Sequence, residues 1–373
     1  MKKLLSTIAL ISALTGVTNT ANANEQAPNI LMVLSSYGEK SDDGEVIKPG
    51  FEFDEMSKSY LVFDQAGANV TFASPKGGKL IADKYDPQKR YNQAFLKDEE
   101  AVKALDTTIR LKDIDANLYD AVYVVGGKGP MYDLANDVDV KRIIAAIYED
   151  DGVVGAVCHG PAALLDVQLS DGQYLIADKR VSGFTNQEET AFTKKWKLPF
   201  SLEDKIKAQG AHYQRDGLML NQVSIDDRIV TAQNPFSTAD AAKALVQELG
   251  LSVDGIEDFK DDRTVKLAEM YFADRQLAAK EFANNTEQYD TVLLAMLGVY
   301  QSKFANTQVE LDVAIAIMEQ TQSAVNHPML DTSIAKAYTN KNQTAKAVNV
   351  LQKSQKKFPD NEAIASMLAE LSE

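Results

Sequence analysis

Between residues 29 and 250, short apolar runs alternate with segments of helical periodicity. That alternation restricts the chain to a largely parallel sheet covered by helices on both faces. Asn29 to Ser35 (NILMVLS), Ala68 to Ala73 (ANVTFA), Ala121 to Val125 (AVYVV), Val153 to Val157 (VVGAV) and Arg228 to Ala232 read as buried strands. Asp54 to Ala66 carries Met56, Tyr60 and Phe63 at helical spacing, Val138 to Tyr148 and Thr238 to Leu249 are likewise helical, and Pro161 to Leu165 opens a further helix. The polar stretch 76–117 is broken by turn residues and reads as an insertion beside the sheet. The predicted fold class is therefore α/β, three layers around a mostly parallel central sheet.

The pattern changes after about residue 251. From Asp262 onward there is no strand signal and almost no Gly or Pro, and apolar residues recur at helical spacing, as in Leu293, Met296 and Leu297 or Ala347, Val350 and Leu351. Residues 252–373 are predicted to form an all-α helical-repeat region. Within it, IAKAYTNKNQTAKAVNVLQKSQKKFPDN (334–361) resembles a tetratricopeptide repeat, with small Ala345 and Ala347 at the helix contact and Phe358-Pro359 closing the unit. Pro328 lies 31 residues before Pro359, near the ~34-residue period of such repeats. A plain helical extension is the alternative.

At the other end, Lys2-Lys3, the apolar run Leu4 to Leu14 and the small-x-small Ala21-Asn22-Ala23 form a secretory signal pattern, with cleavage expected after Ala23. The run is well short of the ~20 residues a spanning helix needs. Residues 1–23 are thus expected to be removed, leaving no membrane span and a periplasmic or secreted protein. A formal net charge of −15 argues against nonspecific nucleic-acid binding, which requires an excess of Lys and Arg.

The chain has one cysteine, Cys158, so no intramolecular disulfide forms. A free thiol in an oxidising compartment calls for a reason. It is either a buried small hydrophobe or a nucleophile. Its setting, AVCHGPAAL (156–164), favours the nucleophile: an apolar strand ends, Cys158 follows, and a helix starts at Gly160-Pro161. Gly permits the tight bend and Pro suits a first helical turn. The helix N-terminus would stabilise a thiolate, and His159 stands ready to move protons. The geometry is that of a nucleophile elbow with Cys in place of Ser.

Six blocks in order carry a resemblance: GFEFDEMSKSYLVF (50–63), TFASPKGG (71–78), VVGGKGPMYDL (124–134), AVCHGPAAL (156–164), SGFTNQEE (182–189) and TAQNP (231–235). Together they resemble the DJ-1/PfpI superfamily, which shares the class I glutamine amidotransferase-like fold, and within it the chaperone/glyoxalase III branch. The resemblance implies a flavodoxin-like sandwich over residues 24–251 and covers none of the C-terminal helices. It also implies roles. Glu55 matches the acid beside the nucleophile, with Glu52 and Asp54 as nearby alternatives. Cys158 matches the nucleophile, His159 the proton carrier, and Glu189 the acid that orients it, with Glu188 as the alternative. The backbone N–H groups of Gly127 and His159 would form an oxyanion hole. Lys128 departs from the branch, which commonly has His after the Gly-Gly pair; it points either to an anionic product or to solvent.

The function so implied is a glutathione-independent glyoxalase that converts methylglyoxal to lactate, a glyoxalase III-like lyase of the D-lactate dehydratase type with a Cys-His-Glu site. No cofactor is expected. No His/Cys grouping has zinc spacing, and GGKG (126–129) lacks the lysine-plus-hydroxyl ending of a phosphate loop. The alternatives are a holdase chaperone or interaction module using the C-terminal helices to bind unfolded or partner proteins, an exposed thiol-redox sensor, and a peptidase or amidohydrolase. A homodimer is a further expectation from the resemblance.

Overall fold

The structure is a computed structural model that describes residues 27–371, so the expected signal segment lies outside the described residues. Its strands are β1 (Asn29–Val33), β2 (Glu39–Lys40), β3 (Val46–Lys48), β4 (Asn69–Ser74), β5 (Ile109–Arg110), β6 (Ala121–Val124), β7 (Val153–Val157), β8 (Arg180–Val181), β9 (His212–Tyr213), β10 (Val223–Asp226) and β11 (Ile229–Ala232). Seven of them form the central sheet, in the order β10-β11-β7-β6-β1-β4-β5. Its pairings are parallel apart from the β10–β11 hairpin. The middle strands β6 and β7 are buried along their whole length, as a sheet sandwiched between helices requires.

The covering helices are α1 (Phe53–Gln65), α2 (Arg90–Lys97), α3 (Glu99–Asp106), α4 (Val138–Glu149), α5 (Asn186–Phe192), α6 (Leu202–Ala208) and α7 (Thr238–Glu248). α1 and α7 pack together on one face. The β1–α1–β4 and β6–α4–β7 crossovers run in opposite directions along the sheet, so right-handed connections put α4 on the other face. The stretch 76–117 is more than an insertion. It holds α2 and α3, and its β5 joins the sheet edge beside β4. Tyr91 and Phe95 anchor it: Phe95 meets Phe53, Tyr60 and Phe72 edge-on, a few aromatic contacts hidden in a polar sequence.

From residue 260 onward the described chain is helical: α8 (Lys260–Ala273), α9 (Arg275–Asn284), α10 (Thr291–Phe304), α11 (Gln308–Val325), α12 (Pro328–Asn340), α13 (Thr344–Lys357) and α14 (Glu362–Glu370). Short loops make α8/α9, α10/α11 and α12/α13 hairpins, and α8, α10, α12 and α14 follow one another in a stack. The stacked helices begin at 260, 291, 328 and 362, a spacing near 34 residues. Leu220 of the α/β domain packs into the apolar cluster of α8 to α11, so the two regions share a core boundary.

Candidate active site

β1 sends its crossover to one side of the sheet and β6 lies on the other, so the chain reverses direction between these strands. Such a switch point leaves a crevice at the strands' carboxyl ends. The loop after β6 is tied to the end of β1 there: the Asp133 carboxylate accepts from the Ser35 hydroxyl at 2.9 Å and from the Ser36 N–H at 2.7 Å.

Cys158 follows directly on β7 with a φ of 60°. This left-handed conformation costs an L residue on the order of 1–2 kcal/mol. Main-chain bonds hold it: the Cys158 N–H donates to the Ala232 carbonyl and its carbonyl accepts from the Phe184 N–H, each at 2.9 Å. Gly126 gives the turn its room. A Cβ there would lie 2.7 Å from the Cys158 Cβ and 2.5 Å from Glu55 Oε2. The helix expected after the elbow is only the five-residue 3-10 turn Gly160–Leu164. Ala162 to Leu165 and Val167 are all buried, so the segment has no polar face to present to water. So short a turn supplies little dipole, and the sulfur depends on side chains instead.

Those side chains form a line. Cys158 Sγ lies 3.3 Å from His159 Nδ1, and His159 Nε2 lies 2.8 Å from Glu189 Oε1. The Phe184 ring packs against the imidazole at 4.4 Å between centroids. On the other side Glu55, in the first turn of α1, is completely buried. Its Oε2 accepts from the Gly126 N–H at 2.9 Å, while Oε1 has no hydrogen-bond partner among the described residues. One oxygen is therefore fixed by the backbone, on a carboxyl that faces the sulfur.

Burial, and then the Glu52 charge, push the Glu55 carboxyl well above the usual carboxylate range. Glu52 is itself pushed up to about 7 by burial and the Asp54 charge. Burial and the Glu55 charge likewise push the Cys158 thiol up. Two anions cannot share so dry a space, so the pair retains at least one proton. With that proton on Glu55, the charge opposing a thiolate disappears. Half-buried Lys128 makes no ion pair among the described residues, yet its charge favours the ionised forms of Cys158, Glu52, Glu55 and Asp83.

Each expected residue has a definite place. Of the three acids near position 55, Glu55 reaches the sulfur. Asp54 turns away to Asn92 and Tyr91, and Glu52 acts on Glu55 through its charge. Glu189, not Glu188, meets His159. Among the described residues the backbone N–H groups of Gly127 and His159 have no hydrogen-bond partner, and Gly127 has a φ of 85°. Cys158 is only 4% exposed, which runs against an exposed redox-sensing thiol. His212 lies on the exposed β9, and His327 caps α12. Among the described residues no cluster of His, Cys, Asp and Glu is arranged to hold a metal, and no helix is long and apolar enough to cross a membrane.

Sequence reasoning missed the environment of Glu188. It is fully buried and accepts from Gln233 Nε2 and Asn234 Nδ2, each at 2.9 Å, from the Met219 N–H at 3.0 Å, and from Thr185. The signal was there in the TAQNP block, which carries Gln233 and Asn234.

Fold and elbow define an α/β-sandwich protein with a cysteine-centred site. The DJ-1/PfpI family profile matches residues 46–248, more than half of the sequence, and the chain belongs to that family. It is 30% identical over 231 residues to glyoxalase 3 of Candida albicans, covering 58% of this chain and 96% of the relative. It is 31% identical over 235 residues to the glutathione-independent glyoxalase HSP31 of Saccharomyces cerevisiae, covering 59% and 97% respectively. Among solved structures, the 24-kDa rapid encystment protein of Francisella tularensis aligns with a TM-score of 0.56 at 35% identity, over 60% of this chain and 99% of that one.

Proposed function

We propose that this protein is a cysteine-dependent, glutathione-independent glyoxalase that converts methylglyoxal to lactate. The observation that carries the reading is the line Glu55, Cys158, His159 and Glu189 across the elbow. Likeness at about 30% identity to two glyoxalases, nearly end to end, supports it.

The Cys158 thiolate adds to the aldehyde carbon of methylglyoxal, and the new alkoxide takes a proton to give a hemithioacetal. The free N–H groups of Gly127 and His159 suit that developing oxyanion. His159 then acts as the base and removes the proton from the former aldehyde carbon, giving an enediol. The proton returns at the adjacent carbon, leaving a lactoyl thioester on Cys158. Water cleaves the thioester, releasing lactate and the thiol. The net change adds one water: the aldehyde carbon is oxidised, the ketone carbon is reduced, and no external electron acceptor is used. This is a lyase of the D-lactate dehydratase type, acting on a small carbonyl substrate. Glu189 holds the imidazole in line.

The test is turnover in glutathione-free buffer. Wild type is expected to consume methylglyoxal and release lactate in equal amount, and Cys158→Ala to do neither. Equal rates from the two proteins would overturn the reading.

A further inference from the structure

The family profile ends at residue 248, yet the helices beyond it reach back to the elements that carry both site acids. Lys58 lies one turn after Glu55 on α1 and is buried. Its ammonium meets Asp262 at 2.6 Å and Asp261 at 2.9 Å, at the start of α8. The Tyr91 ring lies 4.8 Å below the same ammonium. The Tyr91 hydroxyl is 3.1 Å from Asp261 and 3.2 Å from Asp54, the residue before Glu55. A buried ion pair adds little net stability over apolar packing. What the cluster does is tie α1 to the start of α8 one turn from Glu55. A second contact holds the other acid's surroundings: buried Gln301 of α10 donates to the Leu218 carbonyl at 2.6 Å, and the next residue, Met219, donates to Glu188 beside Glu189.

We infer that the C-terminal helical region is a brace for the active site, with Lys58 as the positioning residue that sets Glu55 against Cys158. This rests on reading Glu55 and Cys158 as one proton-sharing unit. The brace acts through the start of α1. If the Lys58 contacts go, the first turn of α1 is free to shift, the Glu55 carboxyl leaves the sulfur, and the thiolate loses its proton-bearing neighbour. Asp262 has one oxygen without a partner, and burial pushes its carboxyl up to about 6 even beside Lys58. The junction is therefore held by Lys58 and leaves its acids poorly satisfied once that charge is removed.

The readout is the pH midpoint of Cys158 alkylation by iodoacetamide in the full chain, with a urea unfolding curve alongside. The midpoint reports the groups around the sulfur rather than the alkylation rate, and Cys158 is the only thiol. The groups that face it are Glu55, Glu52, His159, Lys128 and Tyr123. Lys58→Met is expected to raise the midpoint by about one unit. Tyr91→Phe, a milder change that keeps the ring, is expected to raise it by about half as much. Lys341→Met serves as the control. It breaks the Lys341–Asp312 pair within the helical stack and is expected to lower the urea midpoint while leaving the alkylation midpoint in place. The inference is overturned if Tyr91→Phe and Lys58→Met titrate like wild type, or if Lys341→Met shifts the thiol equally. Should Lys58→Met not fold, Tyr91→Phe decides alone. Alkylation involves no carbonyl substrate, so failure to turn over methylglyoxal would sink the functional reading and leave this test intact.

Discussion

The starts of α1 and α5 each present two acidic residues in the first turn, and in each pair one glutamate is completely buried. Their surroundings differ. Glu188 is met by Thr185, Met219, Gln233 and Asn234, donors enough to satisfy both of its oxygens. Glu55 has one backbone donor, and its carboxyl lies beside a sulfur. The same side chain at the same burial is thus a structural knot at one helix start and, on the proposed mechanism, a proton carrier at the other. Burial alone does not mark a catalytic acid; unsatisfied burial beside a nucleophile does.

Substitutions should separate the two starts. Cys158→Ser is expected to give the largest loss, at least 1000-fold in methylglyoxal turnover, with the urea midpoint close to wild type. Glu55→Gln keeps the Gly126 contact and removes the mobile proton. Turnover is expected to fall on the order of 100- to 10000-fold in a protein of nearly native stability. Glu188→Gln should do the opposite. An amide N–H₂ placed among donors costs about 1–3 kcal/mol of stability, read from urea unfolding, while turnover per folded molecule changes only a few-fold. If Glu188→Gln lost activity as Glu55→Gln does, the contrast would fail. Glu189→Gln loosens the imidazole and is expected to cost on the order of 10- to 100-fold in kcat, with KM little changed.

The smallest effect concerns pH. On the proposed mechanism Glu55 works protonated, so rate should be lost as pH rises through its raised pKa. Glu52 lends a neighbouring negative charge that keeps the proton on. Glu52→Gln removes that charge, Glu55 ionises more readily, and the alkaline limb of the kcat profile moves to lower pH by about half a unit. A move to higher pH would contradict the assignment. Linkage has the same sign: stability contributed by a carboxyl whose folded pKa is raised is complete below its ordinary range and lost as pH rises through the folded value.

Much of this architecture is legible in the sequence because burial writes a simple pattern. β7 is apolar throughout, and the α1 segment repeats its apolar residues at helical spacing, so period and length identify both. The elbow is legible because strand, Cys, Gly and Pro succeed one another with little room for another geometry. What stayed hidden depends on contacts far apart in the chain. β5 is a two-residue, exposed edge strand with no apolar period to announce it. The choice of Glu189 over Glu188 turns on which way two adjacent residues face at the start of α5, and the capping box Thr185–Glu188 settles it by claiming Glu188. The helix expected after Cys158 failed for the opposite reason. A wholly apolar run can pack as a short buried turn beside β6 and β7 as well as it can form a helix.

The central claim is that Glu55 and Cys158 share one proton, carried by Glu55. The single cysteine lets this be read directly as thiolate absorbance in the ultraviolet, with Cys158→Ser as the blank. The proposed mechanism predicts a thiolate midpoint that rises in Glu55→Gln and is unmoved in Glu188→Gln. A Glu55→Gln midpoint at or below that of the wild type, or a Glu188→Gln shift as large as that of Glu55→Gln, would contradict it.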